Sequence, residues 1–167
     1  MSGSKKKTQN LWRELIVGFT SVLVMLLLLY LVMILSFQEG ERSISETMNI
    51  AERIAARIYE EPTADEIKTI SKMLRYAAHL GLFFVVGLVG TFVSMVIFRR
   101  YYRILGVLLS GGACYILAYY TEYYKQFIDG RHFHMTDVVL NWYGSAAGIA
   151  CMVISYFMNR LLVKLSS

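Results

Sequence analysis

Charge is scarce in this sequence: 17% of its 167 residues are Asp, Glu, Lys or Arg, against about 25% in a soluble domain. That shortfall, together with 56% apolar residues, argues against a large soluble core and for a membrane protein. Proline occurs once and cysteine twice. Cys114 and Cys151 both fall inside apolar segments, which excludes a disulfide framework and leaves them a packing role. The positive balance of +5 is not gathered on one soluble face, as a nucleic-acid binder would have it. It is divided among patches beside apolar runs, where it favours anionic lipid instead.

What is present is a set of four long apolar runs. They predict transmembrane helices over about 15–35, 76–98, 102–120 and 138–158, each close to the roughly 17–25 residues that cross a bilayer. The fold class is therefore all-α, an integral membrane bundle of four transmembrane helices. Residues 1–11 read as a disordered tail and 12–167 as a single membrane domain. Trp12 reads as an interfacial anchor for the first span. That span is longer than a signal peptide's apolar region and lacks a small-residue cleavage site, so it is expected to stay as an anchor.

Lys and Arg fall on one side of an even-pass topology. Lys5, Lys6, Lys7 and Arg13 precede the first span, Arg99, Arg100 and Arg103 lie between the second and third, and Arg160 and Lys164 follow the fourth. Glu14 is the one acid among them. The positive-inside rule then predicts that both termini are cytoplasmic.

The segment between the first two spans carries two helix-start signatures. Ser43-Ile44-Ser45-Glu46 predicts an amphipathic helix over about 43–60 with Ile44, Met48, Ala51, Ile54, Ala55 and Ile58 on one stripe. Glu61 and Pro62 end it. Thr63-Ala64-Asp65-Glu66 opens a second helix, about 63–75, that leads into the second span. Gly81, Gly87, Gly90, Gly111 and Gly112 suit close helix packing, and Gly144 and Gly148 form a small-xxx-small pair.

Charge returns in one place, between the last two runs. Asp137, Asn141, Gly144 and Gly148 fall on one face of the fourth span. Glu122 and Gln126 form an i, i+4 pair at the end of the third, and Arg75 and His79 another on the second. Asp129-Gly130-Arg131 supplies a turn and a cation. Such groups are costly at a bilayer edge and call for a shared purpose.

The run Glu122-Tyr123-Tyr124-Lys125-Gln126-Phe127, with Gly130-Arg131, Asp137, Asn141, Gly144 and Gly148, resembles the signature of the VanZ-like family, roughly E-x-x-Q-x-F-x-x-G-R-x-x-x-x-x-D-x-x-x-N-x-x-G-x-x-x-G. Arg75-Tyr76-Ala77-Ala78-His79 is similar to that family's R-K-x-x-H, with Tyr76 replacing Lys. Leu80 stands where an aromatic is common and Leu82 where an acid is. The resemblance spans about 30–150. It implies a small multi-pass bacterial membrane protein connected with low-level resistance to the glycopeptide teicoplanin, and leaves the biochemical activity open.

Two functional readings follow. In the first, Arg75, His79, Glu122, Gln126, Arg131, Asp137 and Asn141 bind an envelope lipid or a lipid-linked cell-wall precursor, because Arg suits bidentate contact with phosphate or carboxylate. In the second, the chain is an enzyme on an envelope lipid, with Glu122 and His79 as acid and base. Thr121, Thr136 and Ser145 are nearby but read as capping and packing residues. A loop metal site from His132, His134, Asp129, Glu122 and Asp137 is a weaker signal, and no metal or cofactor is expected. Nucleic acid is excluded as a partner, and a homo- or hetero-oligomer is compatible with the sequence.

Overall fold

The computed structural model describes residues 2–37, 40–98 and 102–166, with side chains described for 12–37, 44–98 and 102–166. The basic positions Arg99 and Arg100 lie outside the described residues, as do the side chains of Lys5, Lys6, Lys7 and Ser43. Five helices follow one another: α1 Ser2–Ser36, α2 Gly40–Ile58, α3 Ala64–Ile97, α4 Arg103–Lys125 and α5 Met135–Leu165. There is no strand among the described residues. Four helices are long and apolar enough to cross a membrane: Trp12–Ser36, Ala64–Ile97, Arg103–Lys125 and Met135–Leu165. Their outward faces are broadly apolar, with Phe19, Ile104, Leu108, Ile154 and Phe157 all exposed. A monomeric soluble protein does not carry so large a bare apolar surface, whereas lipid tails are a good solvent for it.

Helix boundaries depart from the sequence reading in two places. The α1 backbone is already helical from Ser2, where a disordered tail was expected. An established apolar helix extends easily through good helix formers such as Lys, Gln and Leu, because propagation is cheap once nucleated. Helix α2 starts at Gly40, so the Ser43 box falls inside its first turn. The helix expected over 63–75 runs on into the second span, as read, and forms the first third of α3. Its start is as read: the Thr63 side chain accepts from the Glu66 backbone and Glu66 reaches back to the Thr63 N–H at 2.8 Å, closing both halves of a capping box. At 34 residues and about 1.5 Å per residue, α3 is roughly 50 Å long, well beyond a hydrocarbon core of about 30 Å.

Helix α3 is the hub, touching α1, α2, α4 and α5. Beneath α2, Ala51 and Ala55 are fully buried against it, while Ile44 and Ile58 at the two ends of the same stripe are exposed. The apolar core is Val32 of α1, Phe83 and Val86 of α3, and Cys114 and Ala118 of α4.

The closest packing lies between α3 and α5. A methyl group added at Gly144 would overlap the Leu80 carbonyl, one at Gly148 the Phe84 carbonyl, and one at Gly87 the Ser145 carbonyl. These obstacles are backbone and cannot swing aside. Gly90 meets Ser110 Oγ at 3.2 Å, but Gly81 and Gly112 have nothing within 4 Å, and Gly111 has only an Ile149 methyl at 4.0 Å. The expectation of tight packing therefore holds for Gly87, Gly90, Gly144 and Gly148 and not for the other three. Spacing alone cannot say which small residue faces a neighbour.

Candidate functional site

The α3–α5 seam sets the register of the site. With Leu80 against Gly144 and Phe84 against Gly148, the preceding turns bring His79 beside Asn141 and Arg75 beside Asp137. His79 Nδ1 is 2.9 Å from Asn141 Oδ1, and His79 Nε2 is 3.5 Å from Asp137 Oδ2. Arg75 donates to Asp137 Oδ1 at 3.4 Å and lies 3.3 Å from Oδ2. Asp137 sits in the first turn of α5, where a carboxylate also meets the positive end of the helix dipole.

The last turn of α4 closes the site from the other side. Glu122 turns inward, and its Oε1 lies 3.9 Å from His79 Nδ1. Lys125, one turn on, turns inward as well and donates to Glu122 Oε1 in a buried ion pair. The chain then reverses through hydrogen bonds from Ile128 N–H to the Lys125 carbonyl and from Arg131 N–H to the Ile128 carbonyl. Gly130 occupies the left-handed region, with φ 72, which a side chain would strain. This turn carries Arg131 back over the bundle, where its guanidinium donates to the Ser36 carbonyl at the end of α1, at 3.4 Å. Burial pulls the Arg131 guanidinium below its ordinary value; Glu122 opposes that, Arg75 adds to it, and Asp137 opposes it. It remains a cation throughout, since arginine starts so high.

Burial is deep at the centre: Glu122 and Asn141 are 1% exposed, Asp137 2% and Lys125 4%. The rim is open, with Arg131 half-buried and the Arg75 side chain 47% exposed. Three fixed cations (Arg75, Lys125, Arg131) therefore face two carboxylates (Glu122, Asp137). The cluster carries an excess of one positive charge before His79 is counted.

Aromatic rings mark the depth of this end. Tyr119 stacks on Tyr123 at 6.1 Å, Tyr123 and Tyr124 each meet Phe127, and Phe133 meets Tyr119 at 6.2 Å. Most of these rings are exposed on the outside of α4, as in the aromatic belts of membrane–water interfaces.

Six of the seven expected ligand-binding residues thus converge: Arg75, His79, Glu122, Arg131, Asp137 and Asn141. Gln126 does not. It caps α4 and is exposed. Lys125 takes the inward place, a residue that the i, i+4 reading passed over. On a helix i+3 and i+4 flank the same face, and in the fold it is i+3 that turns inward. The signal was available: the pattern's amide stands three residues after its acid, and in this chain that position holds Lys125.

The loop residues His132, His134 and Asp129 are all exposed. A different trio, His79, Glu122 and Asp137, has ligand atoms within 4.8 Å of one another. Its chemistry suits a metal poorly. Lys125 already holds Glu122 and Arg75 already holds Asp137, so a divalent ion would sit among three fixed cations.

Four membrane-length helices around a buried, charged cluster at one end define a multi-pass helical membrane protein with an interior polar site. The VanZ/LLP1 family profile matches residues 21–157, and the chain belongs to that family. No curated protein and no solved structure matches it.

Proposed function

We propose that the protein binds the anionic group of an envelope lipid or lipid-linked cell-wall precursor at this cluster, and that such binding underlies a role in glycopeptide (teicoplanin) tolerance. The observation that carries this reading is the charge balance. Arg75, Lys125 and Arg131 outnumber Glu122 and Asp137 at a site where charge is costly. An anion at the rim would relieve that excess, and guanidinium groups suit phosphate or carboxylate. The aromatic belt on α4 supports a rim at headgroup level. The Lys and Arg distribution favours cytoplasmic termini in a bacterial membrane, so the cluster would face the outer leaflet.

The test is mass spectrometry of lipids retained by the purified full-length protein, beside the Arg131→Ala variant. The wild type should retain an anionic species and the variant should lose it while staying folded. Wild-type retention by Arg131→Ala would sink the proposal. In cells, overexpression should raise tolerance to teicoplanin more than to vancomycin. The enzyme reading, with Glu122 and His79 as acid and base, has less behind it. Lys125 occupies Glu122 Oε1, the carboxylate oxygen that lies 3.9 Å from His79 Nδ1, so that oxygen is already engaged on the side facing the histidine.

A further inference from the structure

Two polar atoms at the centre of the cluster are buried without a hydrogen bond. Glu122 Oε2 and Asn141 Nδ2 have no hydrogen-bond partner among the described residues. Their side chains flank one ring nitrogen, since His79 Nδ1 is 2.9 Å from Asn141 Oδ1 and 3.9 Å from Glu122 Oε1. Buried polar groups are almost always satisfied. These two therefore specify what an occupant must bring.

The requirement is a narrow one. A carboxylate oxygen only accepts, so the group meeting Glu122 Oε2 must donate. An amide N–H only donates, so the group meeting Asn141 Nδ2 must accept. If the amide is turned over so that its nitrogen meets His79, its oxygen is left free and wants a donor instead. With the amide oxygen facing His79, a single hydroxyl meets both atoms, donating to Glu122 Oε2 and accepting from Asn141 Nδ2; turned over, the amide would ask for a second donor. An ammonium cannot accept, and it would add charge to a cluster that is already positive. An ester or ether oxygen cannot donate.

The anion and the hydroxyl would occupy different depths. Arg75 and Arg131 stand at the open rim, and Glu122 and Asn141 lie beneath them. We infer that the occupant is a hydroxylated phosphate, of the glycerol phosphate or sugar phosphate class, held with its phosphate at Arg75 and Arg131 and a free hydroxyl between Glu122 and Asn141. This rests on the reading of the cluster as an anion site and adds the second group that the anion must carry. A site built to pair a hydroxyl discriminates strongly against an analogue lacking it, because the site's own groups are then left bare.

The experiment uses the wild-type full-length chain in nanodiscs of phosphatidylcholine doped with one test lipid, read by native mass spectrometry. Phosphatidylglycerol and phosphatidylpropanol carry the same charge and nearly the same shape, and differ only in hydroxyls. Phosphatidylglycerol should bind at least tenfold more tightly. Parallel arms with soluble glycerol phosphate and propyl phosphate distinguish a lipid from a free phosphate as the source. A hydroxyl preference in either pair supports the inference. Equal binding of both members in both pairs overturns it, meaning that water fills the inner position, and leaves the anion site standing. Binding of neither anion above phosphatidylcholine overturns the anion site as well.

Discussion

The same two helices, α3 and α5, make two very different contacts. Along Leu80, Phe84 and Gly87 they meet backbone against backbone, through glycines. One turn nearer their common end they meet through Arg75, His79, Asp137 and Asn141. The first contact has a single geometry, because carbonyls cannot be repacked. The second consists of side chains with alternative partners, one of which is left unsatisfied. In a membrane, where apolar helices gain little from hiding apolar surface, close packing of this kind is a main source of association. The seam therefore holds the fold, and the cluster is free to serve something else.

The strongest challenge to that division is a side chain in the seam. Gly148→Val should push the Phe84 backbone away, at or above the upper end of the about 1–3 kcal/mol usual for overpacking. Loss of the monodisperse peak in detergent size-exclusion would register it. Next is Glu122→Ala, which strands Lys125 in the interior and should cost about 3–5 kcal/mol, as removal of one member of a buried pair does. Thermal melting of Glu122→Ala against the double variant with Lys125→Met should show recovery in the double, since both charges are then gone. If the double melts lower than the single, the pair is not the reason for the loss.

Smaller effects sharpen the contrast. Lys125→Gln should melt closer to wild type than Glu122→Ala, because an amide can still donate to the carboxylate. It also brings the fixed charges of the cluster to zero and should weaken anion binding at least tenfold. Gly130→Ala forces a left-handed position on alanine, at about 1–2 kcal/mol, and should lower anion binding more than that stability loss predicts, because the turn aims Arg131. Arg75→Ala removes a half-exposed partner of Asp137 and should cost less than about 1 kcal/mol of stability, with its effect visible in ligand retention.

Most of the architecture was legible in the chain because lipid imposes a simple rule: long apolar runs become helices, and polar groups among them turn inward. The Thr63 box and the inward face of Gly144 and Gly148 could be read the same way, though not that α3 is the helix they meet. Which of two adjacent residues faces the interior could not. Lys125 and Gln126 flank the same helical face, and only the packed structure shows that Lys125 is the buried one. The same holds for the glycines: Gly81 and Gly87 look alike in sequence, yet only Gly87 meets a neighbouring backbone. The merging of the 63–75 helix with the second span was easier to foresee, because no proline or glycine interrupts Thr63 to His79.

Arg131 has a second attachment. Its guanidinium reaches the carbonyl of Ser36, the last residue of α1, a terminal group that has no partner within its own helix. One side chain thus clasps the loop between α4 and α5 to the first helix across 95 residues of sequence. The rim cation is therefore also the tie between the first helix and the last loop, and among the described residues α1 meets the cluster through that backbone carbonyl.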